Sequence, residues 1–371
     1  MSRARHLYVH LPFCAHRCGY CDFVTVVGRR GDHDAYVDAL LAELEFERPL
    51  LAERPETIFL GGGTPTFTEP EALARLLAAL PAAAEVTVEA NPETVTPELA
   101  ELLRAAGVNR VSLGAQSFQP HLLGVLERQA SPDDVRESVR TLRDTDFDNV
   151  SLDLIYGIPG QSGRDLEADL AEALALEPEH LSCYELEAKP GTRFTHAHGT
   201  ELERQAEAME GYFEEVVETL TEAGYRWYET ANFCRDGARD LRARHNLGYW
   251  LGRDYLGVGV GAVSTVAGGR RRNLPSLPRY VAALAAGEQP PCELEPIDPE
   301  THAREVLMLG LRLDEPLVLA DVAAAVDDDA LAHLAELGLV ELTANGRGPE
   351  LRLTERGRFL GGAVTAKLMS F

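Results

Sequence analysis

The stretch "LYVHLPFCAHRCGYCDF" (residues 7–23) runs from an apolar strand-like segment into three cysteines, Cys14, Cys18 and Cys21, within eight positions. Three is an odd number for disulfides and one short of a closed tetrahedral zinc site. The C-x3-C-x2-C spacing leaves three readings: a zinc knuckle with a distant ligand, a redox pair with a bystander, or an iron–sulfur cluster held at three corners. The remaining cysteines (Cys183, Cys234 and Cys292) are isolated and form no second metal-type pair. A thioredoxin-like site needs C-x-x-C at a helix start, which Cys18 and Cys21 meet formally while leaving Cys14 unexplained. Three thiolates on a four-iron–four-sulfur cluster leave one iron without a protein ligand, an open position for a small molecule.

Working outward, the apolar run at 7–12 is followed by "TIFLGGG" (57–63), "VTVEAN" (86–91), "RVSLGAQ" (110–116), "VSLDLIYG" (150–157) and "HLSCYEL" (180–186). Helix-period segments lie between them, such as 34–53 and 69–80, several behind a Thr, Ser or Asp at an N-cap position. Six β-then-α units predict a parallel sheet with crossover helices. The cysteines, "GGGTP" (61–65), Glu89, Gln116 and Asp153 all fall at or just past strand carboxyl ends, where a (β/α) barrel keeps its active site. Six units rather than eight predict an incomplete (β/α)6 barrel, open on one side. Three successive glycines before Thr-Pro are more than a plain βα turn requires, and they let backbone approach a ligand. Read singly, Arg128 is an ordinary helix-surface charge, Cys183 is core packing, and His196 and His198 lie in an exposed loop.

After residue 225 the pattern becomes Gly-rich and aromatic, with "HNLGYW" at 245–250. A Pro-rich linker follows (287–300), then helix signals and a hairpin, "LVELTANGRGPELRLT" (339–354). These shifts divide the chain into a partial barrel (1–225), a Gly/aromatic extension (226–290) and a small winged-helix-like α+β domain (291–371). The run "GVGVGA" (257–262) lacks the βα context and acidic partner of a dinucleotide fingerprint. His245 offers an imidazole to a metal, with Tyr249 and Trp250 as flat faces; the plainer reading is a helix cap with two core aromatics.

Charge narrows the function. The 371 residues hold 60 acidic and 35 basic side chains, a net charge of −25, and the only lysines are Lys189 and Lys367. Such a surface repels phosphate backbones, so nucleic-acid binding is not expected and the winged-helix-like domain reads as packing or a lid. No run of eighteen apolar residues suggests a membrane span, and no signal-peptide core precedes Cys14. Clustered free cysteines fit a reducing compartment, so a cytoplasmic protein is expected.

The blocks "LYVHLPFCAHRCGYCDF", "TIFLGGGTPT", "VEANPE", "VNRVSLGAQSF", "NVSLDLIYGIPGQ" and "HNLGYW" together resemble the oxygen-independent coproporphyrinogen III oxidase-like family of radical S-adenosylmethionine (SAM) proteins. The resemblance covers nearly the whole chain. It implies a radical-SAM partial barrel in which Cys14, Cys18 and Cys21 hold a [4Fe-4S] cluster. By the same resemblance Tyr8, Gly62 and Glu89 bind the cluster-bound SAM. Positions matching Tyr20, Gly63, Thr64, Gln116, Arg128 and Asp153 touch a second SAM in the oxidase. Two departures point away from the oxidase: Phe23 stands where it carries a fourth cysteine, and only thirteen residues precede Cys14. The H-N-x-x-Y-W block is that of the haem chaperone branch, which implies haem as ligand through His245, haem-accepting apo-proteins as partners, and peripheral contact with membrane haem proteins. That branch reads Gly-Ala-His-Ser where this chain has Gly261-Ala262-Val263-Ser264. The expected function is haem binding and transfer. The competing readings are oxidative decarboxylation of coproporphyrinogen III and a winged-helix regulatory protein.

Overall fold

A computed structural model describes residues 3–189, 192–346 and 348–369. The six apolar runs are strands: β1 (His6–Leu11), β2 (Thr57–Gly62), β3 (Glu85–Ala90), β4 (Arg110–Gln116), β5 (Val150–Tyr156) and β6 (His180–Glu185). Each lies beside the next in sequence order and every pairing is parallel. Crossover helices connect them: α1 (His33–Glu47), α2 (Pro70–Ala79), α3 (Pro97–Ala105), α4 (Pro120–Val125), α5 (Pro132–Asp144) and α6 (Gly163–Ala175). Capping boxes at Ser131 and Ser162 start α5 and α6, satisfying backbone N–H groups that a helix start leaves open. Helix α1 ends at Glu47, short of the 34–53 span read from periodicity, because Pro49 supplies no N–H and tightens the chain into a 3-10 turn.

Strand residues two apart share a face, and here the two faces differ in character. Leu7, Val9, Leu11, Ile58, Leu60, Val86 and Val88 pack into the main core with Tyr36, Leu40 and Leu73 from the helices. The opposite set is largely polar, and Tyr8, Glu89, Arg110, Ser112, Asp153 and Ser182 line a chamber inside the barrel.

The sheet holds twelve strands and does not close. Past β6 lie β8 (Asn232–Arg235) and β7 (Tyr225–Glu229). On the other edge β9 (Tyr255–Val258) runs parallel to β1, followed by β10 (Val263–Val266), β11 (Gly269–Asn273) and β12 (Cys292–Pro296). Residues 226–290 thus feed both edges of the barrel sheet. The rejected fingerprint "GVGVGA" begins in β9, where a Cβ on Gly257 would sit 2.1 Å from the Val263 carbonyl oxygen.

Helices α7 (Arg193–Ala206), α8 (Met209–Glu222), α9 (Arg244–Trp250) and α10 (Leu277–Ala285) complete the barrel part. His196 and His198 lie in α7, not in a loop: Thr192 accepts the Thr195 N–H and caps that helix. The C-terminal part holds α11 (Pro299–Gly310), α12 (Asp328–Glu336), α13 (Gly361–Leu368) and a small sheet of β13 (Leu317–Val318), β14 (Val340–Asn345) and β15 (Gly348–Leu353), with β15 central. Its own core includes Leu307, Val322, Leu351, Val364 and Leu368. No helix among the described residues is long and apolar enough to cross a membrane.

Candidate functional site

The loop after β1 carries the three cysteines over the carboxyl ends of the strands. Cys14, Cys18 and Cys21 line one cavity of about 510 Å³ together with Tyr20, Gly62, Gly63, Thr64, Glu89, Gln116, Arg128 and Asp153. Residues from four strands and three loops, scattered over 140 positions of sequence, therefore face a single space. Tyr8 opens instead onto the chamber beneath, whose wall shares Gly62, Glu89, Ser112 and Asp153 with the upper cavity.

Fixed geometry holds the loop ends. The Thr64 hydroxyl donates to Cys14 Sγ at 3.5 Å and accepts from Asn91 Nδ2 at 3.1 Å. Arg128 is no surface charge: its guanidinium donates to the Gly114 carbonyl at 2.7 Å, to Asn91 Oδ1 at 2.9 Å and to Cys18 Sγ at 3.5 Å. Gln116 holds φ at 64° where the β4–β5 register shifts, which turns it into the cavity. Gly62 has φ 112°, and a Cβ there would lie 2.4 Å from the His10 ring. Glycine is required at that point.

Electrostatics follow from burial. Glu89 Oε2 accepts the Gly62 N–H at 3.1 Å, and burial, then the nearby Asp153, push its carboxyl up to about 7. Burial raises Asp153 too, against hydrogen bonds from neighbouring serines. Burial also pushes the Cys14 thiol up to about 11 and raises Cys21. Thiols so placed stay protonated on their own, and a bound metal displaces those protons.

The donor set discriminates among the three readings. No helix begins at Cys18, so the C-x-x-C pair lacks the helix N-terminus that would lower a redox thiol's pKa. A zinc knuckle would need a further ligand brought to the three thiols, and the remaining cysteines are isolated and offer no second pair for it. A four-iron cluster takes one thiolate per iron, and three thiols spread along one cavity wall fit it.

Some site residues escaped the sequence reading. His10 links the Tyr8 hydroxyl (3.0 Å) to the Val24 carbonyl (2.8 Å) beneath Gly62, and Asn91 bridges Thr64 to Arg128. The signal was available for His10, which shares a strand face with Tyr8 two residues away. Arg110 is buried at the chamber wall, and its Nε has no partner among the described residues.

His245 is not brought to either cavity. It sits at the amino ends of the strands, 1% exposed, with its backbone N–H on Glu85. Nδ1 lies 2.8 Å from the Thr57 hydroxyl and Nε2 2.9 Å from that of Tyr249, and the ring stacks on Phe59. Both ring nitrogens are committed to the protein, and burial, then His6 and Arg110, lower its pKa to about 3. As folded, His245 is not an open ligand flanked by Tyr249 and Trp250, and "HNLGYW" packs at the barrel floor. Val263, in the place of the branch's histidine, pairs with Arg272 at the sheet edge.

Comparison with known proteins agrees with this geometry. Residues 8–173 match the radical SAM superfamily model and residues 297–360 the HemN C-terminal domain. The heme chaperone HemW of Mycobacterium tuberculosis is 37% identical over 98% of this chain and 94% of its own length. The chain belongs to the HemW family of radical SAM proteins. The Bacillus subtilis HemW is 33% identical over 96% of this chain and 97% of its own. The solved structure of coproporphyrinogen III oxidase (HemN) from Escherichia coli, described as a radical SAM enzyme, matches the fold with a TM-score of 0.80. That likeness covers 99% of this chain and 90% of the oxidase at 24% identity. Membership of the superfamily implies a [4Fe-4S] cluster and SAM for the HemW-type chain described here.

Proposed function

We propose that this chain binds haem and transfers it to acceptor proteins, with a [4Fe-4S] cluster on Cys14, Cys18 and Cys21 and SAM beside it. One observation carries the reading: three thiols of one loop and the polar ends of four strands face one cavity in a chain kin to heme chaperones. When bound, the cluster supplies an iron with an open coordination position. Gly62 offers close backbone approach and Glu89 a carboxylate for ribose hydroxyls, with Tyr8 ordered below by His10. Tyr20, Gly63, Thr64, Gln116, Arg128 and Asp153 form the wall where a second SAM would lie. The chaperone works in the cytoplasm and meets acceptors there, including membrane haem proteins approached from the side.

The second reading, oxidative decarboxylation of coproporphyrinogen III, draws on the likeness of fold to the oxidase. Against it stands Phe23, 64% exposed on the wall of the cysteine-lined cavity where the oxidase carries a fourth cysteine. The test is to incubate anaerobically reconstituted protein with haem, and separately with coproporphyrinogen III plus SAM and reductant. Haem bound at about one per chain, with coproporphyrinogen III recovered unchanged, is the expected result. Appearance of a decarboxylated porphyrinogen would replace the chaperone by the oxidase.

A further inference from the structure

A groove of about 780 Å³ separates the barrel's open side from the C-terminal part, within the range of about 300–1,000 Å³ typical of ligand pockets. Its lining collects all three methionines that follow Met1: Met209, Met308 and Met369. They come from different walls. Met209 opens α8 on the barrel side, while Met308 on α11 and Met369 just past α13 belong to the C-terminal part. Core packing does not account for Met308, which is 46% exposed. A thioether is a soft ligand and one of the side chains that hold haem iron.

The charges of the groove are sorted by position. Arg312 and Arg358 lie on the C-terminal wall, and Glu185, Glu187 and Glu210 on the barrel wall. Arg312 is tied to Glu229 at 2.5 Å. The Arg358 guanidinium carbon lies 3.5 Å from the centroid of the Trp227 ring, and its Nε and Nη2 are buried with no hydrogen-bond partner among the described residues. The same side chain contributes to the groove lining, where a guanidinium suits a carboxylate. Burial already lowers the Arg358 pKa to about 10. Tyr184, 40% exposed, together with Glu185 and Glu187, lines both this groove and the cysteine-lined cavity, so the two spaces adjoin.

We infer that this groove is the seat of the iron porphyrin, with the Met308 thioether as axial ligand and the propionates on the Arg358 side. The inference rests on the haem reading above and moves the ligand away from His245, whose nitrogens are spent on the barrel floor. The run Tyr184–Glu187 then separates cargo from the cluster cavity.

The test uses the full chain and haemin. A variant carrying Met209→Leu, Met308→Leu and Met369→Leu keeps side-chain volume and should fold. It should bind haemin at least tenfold more weakly and lose the thioether-to-iron charge-transfer band. Arg358→Gln should weaken haemin severalfold and leave the propionate diester of the same porphyrin unaffected. A triple variant that binds like the parent, with the same spectrum, overturns the groove. So does loss of the haem spectrum in His245→Gln while the triple variant retains it; haem binding itself then stands. Failure of the unmodified chain to bind haemin at all would instead overturn the haem reading on which this site rests.

Discussion

The Thr57 hydroxyl lies 2.8 Å from Nδ1 of His245 and 2.8 Å from Nδ1 of His6. A hydroxyl has one proton, so it donates to one imidazole and accepts from the other. His6 Nε2 is 3.9 Å from a Glu56 oxygen, which favours an N–H there over a lone pair. Thr57 then donates to His6 and accepts from His245 Nδ1–H, leaving His245 Nε2 to accept from Tyr249. The floor of the barrel is one coupled hydrogen-bond system that fixes α9 against β1 and β2.

Thr57→Val preserves shape and removes both bonds, leaving two buried nitrogens unmatched. Stability should fall by about 2–4 kcal/mol, read as a lower urea midpoint at unchanged slope. Haem binding in the groove should persist. A loss below about 0.5 kcal/mol would show that water or a shifted ring replaces the hydroxyl.

The same histidine sets a pH dependence. Burial lowers the His245 pKa to about 3 from an ordinary value near 6.5, so the unfolded chain binds a proton that the folded chain refuses. Its contribution is present above pH 6.5 and is lost as pH falls toward 3. Buried Glu85, held up in pKa by burial, responds in the opposite sense, so the effect is read as a difference between chains. The stability gap between the parent and His245→Gln should narrow by about 1–2 kcal/mol between pH 7 and pH 5. A gap independent of pH would contradict a neutral buried imidazole.

Anaerobic reconstitution should give about four irons per chain with matching sulfide. Cys14→Ser, Cys18→Ser and Cys21→Ser should each abolish the broad visible absorbance, while Cys183→Ala, buried in β6, should retain it. Stoichiometric zinc without sulfide in protein handled without oxygen would rule the cluster out.

Glu89→Ala should weaken SAM binding to the reconstituted chain by about 1–3 kcal/mol in calorimetry, through loss of charge-assisted hydrogen bonds. Because burial and Asp153 place its carboxyl at about 7, the ionised form that accepts hydroxyl protons fades as pH drops below neutrality. Parent affinity should therefore fall from pH 8 to pH 6, and Glu89→Gln should flatten that dependence. An unchanged affinity in Glu89→Ala would mean that the ribose is held elsewhere.

The sequence by itself determined the six βα units, the cysteine loop after the first strand, and the gathering of polar residues at strand carboxyl ends. These are local properties: alternation, caps and spacing act within a few residues and survive without knowledge of neighbours. Their ends are less secure: helix α1 stops at Glu47, although its periodicity runs on to 53. Tertiary structure alone decided which polar side chains meet. Arg128 reads as a surface charge until Asn91 and the Gly114 carbonyl enclose it, and α1's Glu43 is buried because Gly259, Asn273 and Tyr280, over 200 positions away, donate to it. "HNLGYW" carries the same lesson. Its histidine has the chemistry of a ligand, but Thr57, Glu85 and Phe59 arrive from two distant strands and consume it. The methionines of the groove lie 99 and 61 residues apart, and no periodicity relates them. Closure of the chain against itself brings them together, since a partial barrel must cover its open side and the C-terminal part lies across it.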